Sequence, residues 1–250
     1  MKGLSVSILH EATENEPFIV LDKPSGLPSA PLKTGDDSAL TQALALYPYI
    51  AGVEGRKSLE KGLVHRIDTA TRGCVLIAAS QTSYDFFMKK QAEGVFLKYY
   101  KASVTPLKAE EIAEMRTDGF PPPPLDYHAM AFGQNFFLES RFRGYGVKHA
   151  AVRPVTENAG KAALKKSDET LYRTEIRLMD SYTALCRIRA GYRHQVRCHL
   201  AWLGLPVQND ILYNPHCKDS TQGLLSFTAC GLEFPNPADG KIMHIGLDNF

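Results

Sequence analysis

Short apolar runs separated by polar turns dominate the first hundred residues, and they predict strands joined by a few short helices. Residues 18–21 are apolar and stop at the turn-forming segment 22–26, which is typical of a strand entering a tight loop. Residues 74–79 are continuously apolar, which favours a strand buried on both faces. Ser38 and Ser80 each precede apolar residues at helical spacing and are predicted N-caps.

The rest of the chain is predicted to contain strands, loops and one further helix of note. In residues 95–104 the even-numbered positions share one face of a strand. Residues 126–170 are irregular and polar, which indicates loops and short strands. Residues 171–178 and 182–189 alternate as in a β-hairpin, and residues 194–203 have helical spacing.

Many strands with few long helices favour an α+β fold with a large mixed or antiparallel β-sheet flanked by helices and loops. The 250 residues are 44% hydrophobic and 22% charged, as in an ordinary folded domain. Without an internal repeat or a long linker, we expect a single domain over residues 1–250. We expect no membrane span and no secretory signal. Five cysteines without a CxxC pair indicate reduced thiols and a cytoplasmic protein.

Positive charge is concentrated in one segment. Residues 141–199 contain 13 Lys and Arg against 5 Asp and Glu, although the whole chain has a net charge of only +2. Such a segment suggests a face for a polyanion, RNA or DNA. The alternative is a solvated surface without a partner.

Sequence motifs for cofactors and metals are missing. Neither GxGxxG nor the P-loop pattern occurs, and HExxH and GxSxG are also missing. His194 and Cys198 are four residues apart, and His216 precedes Cys217, but this is not the spacing of a zinc site. We therefore expect neither a cofactor nor a metal.

Three polar segments are candidates for chemistry. Asp68 lies on a loop leading into the buried strand, with His65 and Arg66 as expected sources of positive charge. The alternative is a local Arg–Asp pair on the surface. Tyr100 should point inward from its strand with a hydroxyl able to find a partner.

The third segment begins the last predicted helix. His194, Gln195 and Arg197 lie at this helix start, where cations and amide groups can bind a carboxylate or phosphate. The alternative is a basic helix end that only faces solvent.

Taken together, these segments resemble the RluA/RsuA-type pseudouridine synthases. That family carries H-R-L-D-x-x-T-S-G, then K-x-Y-x-A-x-V, then G-R-T-H-Q-I-R-V-H. The matching segments here begin at His65, Lys98 and Gly191. A loop at residues 21–27 and a segment from Leu203 to Tyr213 are also similar, so the resemblance extends over about residues 18–237.

The sequence departs from the family pattern at several positions. Tyr192-Arg193 stands in place of Arg-Thr, Asn209 in place of a glycine, and Thr228 in place of a histidine. These differences bear on substrate choice more than on activity. The resemblance starts too near the beginning of the chain for an N-terminal S4 module, which we expect to be missing.

The resemblance implies isomerisation of uridine to pseudouridine in structured rRNA or tRNA, without a nucleotide cofactor. Asp68 would act as nucleophile or as the base of a glycal route, and Arg197 would pair with it. Tyr100 would stack near the uracil and help to remove the C5 proton. Arg66, with His65 close by, would fill the space of the extruded base, and the basic segment would hold phosphates.

Two other functions are alternatives to uridine isomerisation. A non-catalytic RNA-binding module on the same fold would not need Asp68. A nucleoside or glycoside hydrolase would release free base. We expect a monomer, since no heptad or long apolar edge is evident.

Overall fold

The computed structural model describes residues 3–217 and 223–247, and it divides into two compact units. The first unit takes residues 1–100 and 228–250, and the second takes residues 101–227.

The described residues form ten strands and five α-helices. The strands are β1 (Ser7–His10), β2 (Phe18–Lys23), β3 (Arg72–Ala78), β4 (Leu97–Ser103), β5 (Asn135–Tyr145), β6 (Ala151–Val155), β7 (Tyr172–Asp180), β8 (Thr183–Ile188), β9 (Phe227–Pro235) and β10 (Ile242–Gly246). The helices are α1 (Ala39–Leu46), α2 (Gln81–Ala92), α3 (Ala109–Thr117), α4 (Lys161–Lys165) and α5 (Gln195–Trp202). The α+β prediction is confirmed.

In the first unit, strands β1, β2, β3 and β9 lie side by side, and β10 pairs with the other part of β9. The β3–β9 pair is parallel, and the β1–β2, β2–β3 and β9–β10 pairs are antiparallel, so this sheet is mixed. All residues of β2 are buried, because helix α2 and the aromatic core cover the sheet. That core is built from edge and stacked contacts among Phe18, Phe87, Phe96 and Phe234.

The predicted helix starts of the first unit are confirmed. Ser38 accepts a hydrogen bond from the backbone N–H of Thr41, and Ser80 accepts one from Ser83, so both begin their helices in a capping box. The predicted face of β4 is also correct, since its even-numbered positions are buried.

In the second unit, β8, β7, β5 and β6 lie in that order, and each of these neighbouring pairs is antiparallel. The predicted hairpin is β7–β8, and α5 packs against β6 and β7. The prediction of loops and short strands over residues 126–170 is wrong in part, because β5 has 11 residues. Its inward row, Leu138, Ser140 and Phe142, is interrupted by the polar Ser140, which weakens the apolar alternation that predicts a strand.

The five cysteines are free and buried, as the sequence predicts. Trp202 is a core residue whose indole N–H donates to the carbonyls of Pro121 and Pro122. Among the helices of residues 3–217 and 223–247, none has the length and apolar character needed to cross a membrane.

Gly73 offers a test of the parallel β3–β9 pairing. Its φ is +126°, and a Cβ built there lies 2.1 Å from the carbonyl oxygen of Ala229. We expect Gly73→Ala to lower the free energy of unfolding by about 2 kcal/mol, since both the backbone strain and the clash are unfavourable. Gly52→Ala is the control, because nothing lies within 4 Å of a Cβ there. Denaturant unfolding of both variants measures the effect, and equal losses would contradict the explanation.

Candidate active site

Asp68 lies half-buried on a tight turn that leads into β3. The backbone N–H of Thr71 donates to the carbonyl of Asp68 at 3.0 Å and closes the turn. Upstream, the N–H of Val64 donates to the carbonyl of Leu76 at 3.1 Å. These bonds tie the turn to the buried strand, so the carboxylate is carried on a rigid support.

A second loop, residues 23–29, is hydrogen-bonded to this turn, and we call this loop the strap. The Nζ of Lys23 donates to the carbonyl of Thr69 at 3.2 Å and to that of Leu27 at 2.7 Å. The Oγ of Ser25 donates to the carbonyl of Ala70 at 2.7 Å. The bonds to Thr69 and Ala70 go to backbone carbonyls, so the strap restrains the path of the turn that carries Asp68.

The remaining contacts of the strap reinforce this arrangement. The N–H of Gly26 donates to the carbonyl of Thr69 at 2.7 Å, with Gly26 at a φ of +91°. The Oγ of Ser29 donates to the carbonyl of Ile67 at 2.8 Å and accepts from its N–H. Lys23 is a residue of this site that the sequence motifs do not single out, and the turn-forming segment around it is the signal that could have found it.

Lys23 and Tyr100 share the electrostatic environment of Asp68. Lys23 is 0% exposed, and burial lowers its pKa to about 8 against the opposing charges of Asp68 and Asp22. Burial, and next the charge of Asp68, raises the pKa of Tyr100 far above its usual value. Tyr100 therefore stays protonated at neutral pH, and its O–H is a donor.

The two residues preceding Ile67 have different environments. His65 is buried, its Nε2 accepts from the N–H of Leu76 at 3.2 Å, and burial, aided by the charge of Lys98, lowers its pKa to about 3. The prediction that His65 supplies positive charge is wrong, because a neutral imidazole is the stable form in this core position. Arg66 is 58% exposed and forms a salt bridge with Glu60 at 3.1 Å.

Lys23 gives the site a pH dependence of defined sign. Its pKa falls from 10.5 in the unfolded chain to about 8 in the fold, so between these values the unfolded chain binds more protons. The wild type should therefore gain about 2 kcal/mol of stability relative to Lys23→Met between pH 8 and pH 10. Denaturant unfolding of both proteins across that range measures the difference, and a constant difference would refute the assignment.

Arg197 in the second unit is held by a buried ion pair. Its Nε and Nη2 donate to the two carboxylate oxygens of Asp210, each at 2.8 Å. The side chains are 5% and 0% exposed. The sequence analysis did not foresee this partner, although Asp210 was part of the resemblance. The expected pairing with Asp68 joins residues of different units and stays a prediction.

Gln195 and His194, the other two residues predicted at the start of this helix, have different structural roles. Gln195 is 2% exposed, and its amide donates to the carbonyl of Arg173 and the hydroxyl of Thr174, so it anchors the start of α5. His194 is half-buried and precedes the helix, and its Nδ1 lies 3.0 Å from the Oη of Tyr213.

The residues weighed for a zinc site have other partners. Cys198 donates its S–H to the carbonyl of Val152, and burial strongly raises the pKa of its thiol. His216 pairs with Glu111 on the surface. In the part of the chain that is described, no group of three His, Cys, Asp or Glu side chains is arranged to hold a metal ion.

Comparison with known proteins places these residues in a wider context. Residues 17–202 match the family described as RNA pseudouridylate synthase. The chain is 26% identical over 237 residues to ribosomal large subunit pseudouridine synthase D of Zymomonas mobilis, covering 91% of this chain and 65% of the relative. It is 25% identical to the tRNA pseudouridine(31) synthase of Saccharomyces cerevisiae, covering 81% and 46%.

The fold is likewise shared with a solved structure. Human RNA Pseudouridylate Synthase Domain Containing 1 superimposes with a TM-score of 0.65 at 14% identity, over 98% of this chain and 84% of that one. The chain spans 65% and 59% of the lengths of two synthase D relatives that it matches.

Proposed function

Because the chain belongs to the RNA pseudouridylate synthase family, we propose that it isomerises uridine in RNA to pseudouridine. In this reaction the N1–C1′ bond breaks, the uracil turns, and C5 bonds to C1′. Relatives named for the large ribosomal subunit and for tRNA support rRNA or tRNA as the substrate. The family match runs through both units, which supports their action as one catalytic domain.

The observation that carries the proposal is Asp68 on its doubly restrained turn. A glycosidase needs two carboxylates, because it must protonate a leaving group and deliver a nucleophile. In the isomerisation the base is retained and no water is consumed, so one carboxylate suffices. Asp68 serves either as nucleophile at C1′ or as the base that starts glycal formation.

Tyr100 is the second catalytic group of the proposal. Its ring stacks near the uracil, and its hydroxyl lies in the field of Asp68. Removal of the C5 proton by a phenolate is disfavoured, because burial and the neighbouring carboxylate keep the phenol protonated. We therefore assign Tyr100 to packing against the uracil and to hydrogen-bond donation, and the C5 proton passes to solvent, where the tritium assay detects it.

We propose that Arg197 is the cation that keeps Asp68 ionised when bound RNA excludes water. A carboxylate that loses water without a partner is disfavoured in its charged form, and a guanidinium offsets that loss. Asp210 fixes the orientation of the guanidinium through two parallel hydrogen bonds.

Arg66 is the candidate for base extrusion. A stacked uridine must leave the helix before it reaches Asp68, at a cost of a few kcal/mol. Arg66 is exposed two residues before Asp68 and can occupy the vacated space. His65 supports this loop from the core, where its imidazole accepts the N–H of Leu76.

The basic segment supplies the phosphate-binding face. Outward positions on β5, β7 and β8 hold Arg141, Arg143, Arg173, Arg177 and Arg187, with Glu139 and Glu175 among them, and the exposed Arg189 directly follows β8. The guanidinium of Arg173 lies 3.8 Å from the ring centroid of Phe137. A polyanion on this face would bind with strong salt dependence.

The proposal also includes the cellular location and the oligomeric state of the protein. Five free thiols support a cytoplasmic location. We propose a monomer, which gel filtration would test.

Tritium release tests the activity. RNA labelled as [5-³H]uridine, isolated from cells that lack this gene, should release tritium to solvent when the protein is added, because C5–H is broken in the isomerisation. Nuclease digestion should then yield pseudouridine. Free uracil in place of pseudouridine would favour a hydrolase. Filter binding of the RNA with no tritium release would favour a non-catalytic RNA-binding module.

A further inference from the structure

Lys23 is a fully buried lysine near Asp68 that the proposed mechanism does not use. Its exposed fraction is 0%, and it lies at the end of β2 in the first unit. The ammonium is attracted by Asp68 and by Asp22, whose carboxylate forms a salt bridge with Arg72 at 2.7 Å. On the neighbouring strand β3, Cys74 is a neutral thiol at neutral pH, because burial raises its pKa to about 12.

The ammonium group of Lys23 uses all of its donors. Its Nζ donates to the carbonyl oxygen of Leu27 at 2.7 Å, to that of Pro24 at 3.0 Å and to that of Thr69 at 3.2 Å. A protonated lysine has three N–H donors and no acceptor. The two shorter bonds stay within the strap, and the longest one reaches the turn that carries Asp68.

Loss of one proton from Nζ must therefore break one of these three bonds, because a neutral amine has only two N–H donors. The bond to Thr69 is the one that is lost, since it is the longest and the other two are made within the same loop. Thr69 directly follows Asp68, so a displaced Thr69 peptide alters the position of the carboxylate. The bonds from Gly26 and Ser25 remain, so the turn shifts without unfolding.

We propose that Lys23 is a positioning residue whose protonated ammonium holds the peptide of Thr69, and with it Asp68, in the geometry that the isomerisation needs. The inference rests on the proposed function and adds a titratable support to it. Burial lowers the pKa of Lys23 to about 8, so the support is lost in mildly alkaline solution. Stability and activity should then change in opposite directions, because the fold favours the neutral amine whereas turnover depends on the charged form.

The pH dependence of tritium release at saturating [5-³H]uridine RNA tests the proposal. The wild-type kcat should fall about threefold to tenfold, the contribution of one hydrogen bond, around a midpoint near pH 8, with KM little changed. Lys23→Met should have a low kcat without this step. Lys89→Met is the control and should retain the wild-type profile, since the Lys89 side chain is 74% exposed on α2. Titration of the uracil imide is common to all three proteins.

The comparison with Lys23→Met also identifies the titrating group. Burial lowers the pKa of a second lysine, Lys98, to about 8 as well. A step near pH 8 that persists in Lys23→Met would belong to another group and would overturn the proposal, and so would a wild-type profile without a step. Denaturant unfolding over the same range should show the wild type gaining stability while its activity falls.

A measurement that needs no activity separates this inference from the proposed function. In ¹³C spectra of the wild type, the Cε resonance of Lys23 and the carbonyl resonance of Thr69 should titrate together near pH 8. The Thr69 resonance should stay constant over that range in Lys23→Met. A Thr69 carbonyl that does not follow the titration of Lys23 would refute the assigned bond. If the wild type releases no tritium at any pH, the proposed function fails, while these spectra still test how Lys23 holds the turn.

Discussion

Asp68→Asn is expected to lower tritium release from [5-³H]uridine RNA by about 10³-fold or more, the loss typical of a general base or nucleophile. The amide retains the shape of the side chain but cannot attack C1′ or accept a proton. The turn itself is held by backbone bonds to Thr71 and to the strap, which do not involve this carboxylate. The variant should therefore fold, and its unfolding temperature should stay within a few degrees of the wild type.

Asp85→Asn is the matched control, because Asp85 is exposed on α2 and bonds only locally to Gln81 in the described structure. It should release tritium at the wild-type rate. RNA affinity of Asp68→Asn should also be close to wild type, as measured by filter binding. Full turnover in Asp68→Asn would remove the carboxylate from the proposed mechanism.

Arg197→Met should have the largest effect on stability. Removal of one partner leaves Asp210 as a buried, uncompensated charge, which costs about 3–5 kcal/mol of unfolding free energy. Tritium release should fall with it, because the proposed partner of Asp68 is lost. Urea unfolding and the tritium assay on the same preparation measure the two effects.

A double variant separates the two roles of Arg197. Arg197→Met with Asp210→Leu removes both charges, so a large part of the lost stability should return. Activity should not return, since Asp68 still lacks its cation. Recovery of tritium release in the double variant would mean that Arg197 serves only to neutralise Asp210.

The sequence predicts those parts of the fold that depend on neighbouring residues. Ser38 and Ser80 begin helices because each hydroxyl accepts the backbone N–H of the residue three positions ahead. Strands β2 and β3 are visible in the sequence as apolar runs. Strand β5 was missed because its inward row includes Ser140, whose hydroxyl meets the Nε2 of His199 at 3.0 Å. That partner lies 59 residues away.

Parts of the site were hidden for the same reason. The sequence presents His65 as a cationic neighbour of Asp68, but the N–H of Leu76 and the ring of Phe96 make it a neutral core residue. Lys23 and Thr69 are 46 residues apart in the sequence, so only the folded chain brings Lys23 to the turn. Strands β9 and β10 were not predicted, since the partner of β9 is the distant β3.

The strap reaches residues 69 and 70 through their backbone carbonyls alone, and their side chains are exposed. The path of the backbone at residues 69 and 70 therefore does not depend on the side chains that these residues carry. Side chains at 69 and 70 can be exchanged without displacing the neighbouring carboxylate, provided that the new residue tolerates the turn. Under the proposed function, we expect substitutions at these two exposed positions to leave the rate of tritium release close to that of the wild type.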